Sequence, residues 1–184
     1  YGANADNTLI FQMANRSIHY DNEENTYLSG VTYKMTVNYN PITDLLTYTI
    51  NNKTLSFNPR AINPNWPTGS FMSATMLYLN STAAGNKVEV SNIKLNGNTV
   101  QNPSLSVENG ERALVISGYD YYNGFTVTAD VKYTYTTAPT TGGALFFDYK
   151  FGQTNGCVVN DGCVDEVIVT KQAPPCAIAL TATP

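Results

Sequence analysis

The chain predicts an all-β fold, an antiparallel β-sandwich of jelly-roll type, and three observations carry that reading. Apolar and polar residues alternate with period 2 through much of its length, as strands with one buried face require. Gly, Asn and Pro interrupt these runs about every ten residues, the punctuation of a sandwich or barrel. No segment sustains the 3.6-residue period of an amphipathic helix. The 184 residues suit a single domain, large enough to bury about 70% of its unfolded surface.

Element by element, Thr8-Leu9-Ile10-Phe11-Gln12-Met13 is the first strand-competent stretch. The acidic run Asp21-Asn22-Glu23-Glu24-Asn25 reads as a loop that offers hard oxygen atoms to calcium. Tyr33, Met35, Val37 and Tyr39 then alternate with Lys34, Thr36 and Asn38. Asn40-Pro41-Ile42-Thr43-Asp44 makes a turn, after which Leu46, Tyr48 and Ile50 resume the period. Asn51-Asn52 turns the chain again toward Leu55 and Phe57, giving two consecutive hairpins. Asn58 to Gly69 holds three prolines and the only tryptophan, Trp66, and reads as a long surface loop. Further strands are expected at Phe71–Leu79, Lys87–Leu95, Ala113–Ser117, Phe125–Thr136, Ala144–Phe151 and Val164–Thr170. The alternating face of Phe125, Val127, Ala129, Val131, Tyr133 and Tyr135 is the longest, with Leu145, Phe147, Tyr149 and Phe151 expected to pair beside it. The chain is thus divided into an N-terminal strand or arm (1–14), a β-sandwich (15–171) and a C-terminal arm (172–184) stiffened by Pro174-Pro175.

Composition excludes several roles. No apolar run approaches the length of a membrane-spanning helix. Ten Lys+Arg against 14 Asp+Glu leave a net charge of −4, a poor basis for binding phosphate backbones, so no nucleic-acid partner is expected. Charged residues are only 13% of the chain, about half the usual share. Asn and Thr together supply roughly a quarter of it, so amides and hydroxyls must cover the surface. That pattern is typical of exported β-proteins. The chain begins at Tyr1 rather than Met, which reads as a mature extracellular or cell-surface form with its signal peptide removed.

Three cysteines crowd the last thirty residues. Cys157 and Cys163 bracket a short turn-rich spacer and are expected to close a small disulfide loop, leaving Cys176 free or bonded to another chain. Cys157–Cys176 and Cys163–Cys176 stay open, because spacing does not determine connectivity. Asn15, Asn52 and Asn80 each head a sequon for N-glycosylation.

The ordered set Val37-Asn38-Tyr39-Asn40-Pro41 with Leu46-Thr47-Tyr48-Thr49-Ile50, Val90-Ser91-Asn92-Ile93-Lys94-Leu95-Asn96-Gly97, Leu114-Val115-Ile116-Ser117-Gly118, Gly124-Phe125-Thr126-Val127-Thr128 and Leu145-Phe146-Phe147-Asp148-Tyr149-Lys150 resembles the bacterial choice-of-anchor extracellular domains, the W type in particular. The resemblance spans roughly residues 27–152. It implies a surface-displayed β-sandwich with no assigned chemistry and no catalytic residues to carry over. After Phe151 the chain departs from that pattern, with a cysteine-rich strand and a proline-stiffened tail.

Catalytic constellations are missing. His19, the only histidine, stands between Ile18 and Tyr20 in no serine-hydrolase context. No phosphate loop or dinucleotide fingerprint occurs, and the acids form no recognisable glycosidase pair. The expectation is therefore no enzyme and no cofactor, with Asp161, Asp165 and Glu166 as a candidate structural calcium site. A carbohydrate-binding role would use exposed rings, for which Trp66, Tyr119, Tyr121 and Tyr122 are the candidates. The two ends point elsewhere. Leu9, Phe11 and Met13 at one terminus, and Ile178, Leu180 and Ala182 at the other, each line one face of a strand-competent segment. Such segments dock at home or add to the sheet of a neighbouring copy, and head-to-tail addition does not close. The expected function is a structural subunit of a cell-surface filament or matrix, a homopolymer assembled by terminal strand exchange. The alternative is a lectin-like module that binds glycans.

Overall fold

The computed structural model describes residues 8–14, 20–58, 74–82, 84–136, 145–152 and 166–169. The strands among them are β1 (Thr8–Ala14), β2 (Tyr20–Thr26), β3 (Thr32–Asn40), β4 (Leu45–Ile50), β5 (Lys53–Phe57), β6 (Ala74–Ser81) and β7 (Lys87–Leu95). They continue with β8 (Asn98–Thr99), β9 (Leu105–Glu108), β10 (Gly110–Ser117), β11 (Phe125–Thr134), β12 (Leu145–Gly152) and β13 (Glu166–Val169). The fold is all-β and nearly all antiparallel. Among the described residues the one helical turn is a 3-10 turn at Tyr121–Asn123, and no helix is long and apolar enough to cross a membrane.

The strands form a hairpin and two larger sheets. The larger sheet has the order β5-β4-β3-β11-β7-β8, with β9 also pairing β7, and the smaller has the order β12-β6-β10-β13. Alternation makes the core. β3 buries Tyr33, Met35, Val37 and Tyr39, and β11 opposite buries Phe125, Val127, Ala129, Val131 and Tyr133. From the smaller sheet Leu77, Leu79, Leu114, Ile116, Leu145 and Phe147 join the same buried cluster, so one apolar core serves both sheets. A second, smaller cluster of Met76, Ala113 and Val115 with Tyr78 gives β10 an unbroken buried run from Ala113 to Ser117.

Two local devices position these strands. On β7 the alternation changes phase, from Val88 and Val90 to Ile93 and Leu95, because the register with β11 shifts between Thr128 and Asp130. Asn92 takes the positive φ of 53° that this bulge needs, so both halves of the strand keep their apolar side inward. At Asn109-Gly110, with φ of 65° and 135°, the chain leaves β9 in the larger sheet and enters β10 in the smaller one.

Two expectations change. The strand after β11 does not pair with it: β12 crosses to the smaller sheet and pairs β6 along its whole length, with Leu145 opposite Ser81 and Gly152 opposite Ala74. Period-2 alternation marks a half-buried strand but says nothing about which sheet the strand joins. Residues 21–25 are not a calcium-binding loop, since they lie within β2, which pairs β1 from Thr8↔Thr26 to Ala14↔Tyr20. The N-terminal strand accordingly has a partner in its own chain. The loop at Asn58–Gly69 lies outside the described residues except for Asn58.

Candidate functional site

Two regions of this frame bear on function, the edges of the smaller sheet and one end of the molecule. The smaller sheet is antiparallel from β12 through β6 to β10, and then β13 joins β10 in parallel, from Leu114↔Glu166 to Ser117↔Val169. β13 has the sequence Glu-Val-Ile-Val and ends level with the end of β10. Two parallel strands cannot be joined by a hairpin, so an edge position filled in parallel is filled by chain arriving from elsewhere. At the opposite edge, among the described residues, β12 has β6 as its only strand neighbour. It is eight residues long and reads Leu-Phe-Phe-Asp-Tyr-Lys-Phe-Gly, with Asp148 and Lys150 among its apolar residues, charges of the kind that protect sheet edges.

The end of the molecule gathers the turns that follow β3, β7 and β10. In the β3–β4 turn Asn40 Oδ1 accepts from the Ile42 amide at 2.9 Å, Tyr39 OH donates to Asp44 Oδ1 at 3.1 Å, and Ile42 is 92% exposed. Asn96-Gly97, at φ of 49° and 79°, turns β7 into β8. In the loop 118–124 Asp120 caps the 3-10 turn, accepting from the Tyr122 amide at 3.2 Å and from Asn123 Nδ2 at 2.6 Å. Asn96 ties the turns together: its Oδ1 accepts from the Thr126 amide at 2.7 Å and its Nδ2 donates to Tyr119 OH. That hydroxyl in turn donates to the Gly124 carbonyl at 3.2 Å. Gly124 has φ of 89°, and a Cβ there would meet Pro41 Cδ at 2.8 Å and Tyr39 O at 3.0 Å, so loop and turn touch along their backbones.

Tyr121 is the anchor of this end and is fully buried. Its ring stands edge-on to Tyr119 and Phe125, both with centroids at 5.1 Å. Its hydroxyl donates to the Ile116 carbonyl at 2.9 Å and lies 3.2 Å from Thr75 Oγ1. Burial pushes its pKa far above the ordinary phenol value. Tyr121 therefore offers no face to a sugar, which corrects its place among the candidate stacking rings. A run of tyrosines in a loop looks exposed in sequence, but here the middle ring turns inward to plug the end of the core. Tyr119 and Tyr122 are partly buried and pack against that core.

On the outer face of the larger sheet, a polar cluster crosses three strands. Lys34 Nζ on β3 lies 2.5 Å from Asp130 Oδ1 on β11, and Asn92 Nδ2 on β7 donates to Asp130 Oδ2 at 2.7 Å. The lysine bond, more than the asparagine, holds the Asp130 carboxyl below its ordinary pKa, against a smaller opposing effect of burial. Glu89 is held down in the same way, first by Lys87 and then by Lys132. A carboxylate kept ionised between a lysine and an amide fastens strands together; it is not poised to accept a proton at neutral pH.

Of the other residues singled out by sequence, Leu9, Phe11 and Met13 lie on β1 in register with Asn25, Glu23 and Asp21 of β2. Glu166 is the first residue of β13. Asn52 is exposed in the β4–β5 turn, whereas Asn80 is buried in β6 at 4% exposure. Asn80 is thus corrected as a glycan acceptor, since a strand interior cannot present its amide to a transferase. Trp66, Cys157, Cys163, Cys176, Asp161, Asp165, Ile178, Leu180, Ala182 and Asn15 lie outside the described residues. Sequence reasoning missed Asn96, Asn92 and Asp130. The Asn-Gly pair at 96–97 and the phase change around Asn92 were the available signals. No protein family, curated protein or solved structure matches the chain.

Proposed function

We propose that the chain is a non-catalytic, exported structural subunit, a jelly-roll sandwich whose copies assemble into a cell-surface filament or matrix by exchanging terminal strands. The observation that carries this reading is β13: the smaller sheet takes up a short C-terminal strand in parallel at its edge, with Val167, Ile168 and Val169 in register with Val115, Ile116 and Ser117. A sheet that accepts one strand this way has edges suited to strand addition, and an element held along one side is the kind that copies exchange at low cost. The described polar clusters supply no competing chemistry, because each carboxylate with a lowered pKa is held by lysine. Glycan binding has less support, with Tyr121 turned into the core.

Electron microscopy of the full chain at high concentration, with and without a reductant, tests the reading. Filaments or ordered sheets are expected. Discrete monomers under both conditions overturn it.

A further inference from the structure

We infer that Asn109 is a site of spontaneous modification, where the side chain closes on the next backbone nitrogen and loses its amide. The inference is independent of the assembly proposed above.

The chain holds four Asn-Gly pairs, at 96–97, 109–110, 123–124 and 155–156, and the last lies outside the described residues. A glycine after asparagine lets its own nitrogen approach the asparagine Cγ, because no Cβ stands in the way. The chemistry is a ring closure followed by hydrolysis. The Gly110 nitrogen bonds to Asn109 Cγ, and the carboxamide nitrogen leaves as ammonia, carrying the proton that the Gly110 nitrogen gives up. Water then opens the cyclic imide. Cleavage at Cγ yields aspartate, and cleavage at the main-chain carbonyl carbon yields isoaspartate, whose backbone runs through the former side chain. No electrons are exchanged, and water is the only co-reactant.

The three described pairs differ in how firmly each is held. Asn96 Oδ1 accepts from the Thr126 amide at 2.7 Å, and Asn96 Nδ2 donates to Tyr119 OH. Its backbone amide donates to the Thr126 carbonyl at 2.8 Å. Ring closure there must first break both side-chain bonds. Asn123 Nδ2 donates to Asp120 Oδ2 at 2.6 Å, and the Gly124 nitrogen that would attack donates to the Tyr121 carbonyl at 3.3 Å. Gly124 is also pressed against Pro41 and Tyr39 O. Asn109 escapes these restraints. It is exposed, and its carboxamide makes no hydrogen bond among the described residues. A Cβ placed on Gly110 would meet nothing within 4 Å, so the chain has room to turn as the ring closes.

The position gives the change a consequence. Asn109-Gly110 joins β9 of the larger sheet to β10 of the smaller one, between Glu108 and Glu111. Isoaspartate inserts a methylene into that joint, and either product adds a third carboxylate to the two beside it, which like-charge repulsion opposes.

Peptide mapping by mass spectrometry tests this, reading the deamidated fraction at 96, 109 and 123 in the full chain aged in mildly alkaline buffer. A parallel sample aged in guanidinium chloride removes the fold. Protected amides in β3 and β11 show that the first sample is folded. In the folded chain Asn109 should convert at least about tenfold faster than Asn96 or Asn123, the scale that the loss of hydrogen bonds sets. In denaturant the three should convert at similar rates, since glycine follows each. Conversion of Asn96 or Asn123 as fast as that of Asn109 in the folded chain overturns the inference, as does no conversion at any of the three while the unfolded sample converts. A preference for Asn109 that persists in denaturant also overturns it, because local sequence and not the fold would then be the cause.

Discussion

Tyr121 shows how much one side chain decides at the end of this molecule. Its ring fills the space between Tyr119 and Phe125, and its hydroxyl satisfies the Ile116 carbonyl. Tyr121→Phe keeps the ring and leaves that carbonyl and Thr75 without the hydroxyl, a loss of about 1–2 kcal/mol. Tyr121→Ala adds a cavity and raises the loss to about 3–5 kcal/mol. Urea titration of the two variants measures both steps; equal losses would mean that the hydroxyl contributes nothing. At the same scale, the asparagine-rich composition acquires a backbone explanation. Among the described residues, all the non-glycine positions with positive φ are Asn or Asp: Asp44, Asn51, Asn92, Asn96, Asn102 and Asn109. These side chains tolerate the left-handed region best after glycine. Five of the 22 asparagines that read in sequence as surface cover therefore serve turns or the β7 bulge.

Strands β3, β11 and β7 are laced on their solvent side by Lys34, Asp130 and Asn92. Because its partners hold the Asp130 carboxyl below its unfolded pKa, this contact stabilises the fold fully above the unfolded value, about 3.9. The contribution is lost as pH falls through the lower folded value. With Lys34 80% exposed, solvent screening limits the effect to about 1 kcal/mol. Asp130→Asn should thus be about 1 kcal/mol less stable than wild type at pH 7, and the gap should close as the pH drops below about 4. A gap that persists in acid would mean that the carboxylate charge is not what binds the strands. Elements of this kind were readable from sequence to different depths. β3, β4, β5, β7 and β11 stood out because one face of each is buried and the other wet, which writes a period-2 pattern into the residues. β2 was missed because Tyr-Asp-Asn-Glu-Glu-Asn-Thr has no apolar alternation; it is a strand through its pairing with β1. The partner of β12 was misread for a related reason, since alternation records burial and sheet membership depends on long-range pairing. The stretch Tyr119–Tyr122 lies between strands as its sequence suggests, but the inward turn of Tyr121 is a packing outcome that no spacing encodes.

The whole molecule is held by a core that does not respect the division into sheets. Leu77 and Leu114 from the smaller sheet lie in one buried cluster with Val127 and Val131 from the larger. Neither sheet can keep its inward face dry without the other, so the two should unfold together. Leu77→Ala removes a fully buried side chain and should cost about 3 kcal/mol. That loss should appear equally in the slowest-exchanging amides of β3 and β11, although neither strand belongs to the sheet of Leu77. The same substitution should leave the β1–β2 hairpin little changed, because its strands pair only with each other among the described residues. Hydrogen exchange of the variant measures all three regions in one experiment. If β6 and β10 lost protection while β3 and β11 kept theirs, the sheets would be separate folding units, and strand exchange at the smaller one could proceed without opening the core. If they fall together, the larger sheet is what keeps the smaller one in shape, and under the proposed strand exchange a substitution deep in β3 or β11 should weaken assembly through the fold.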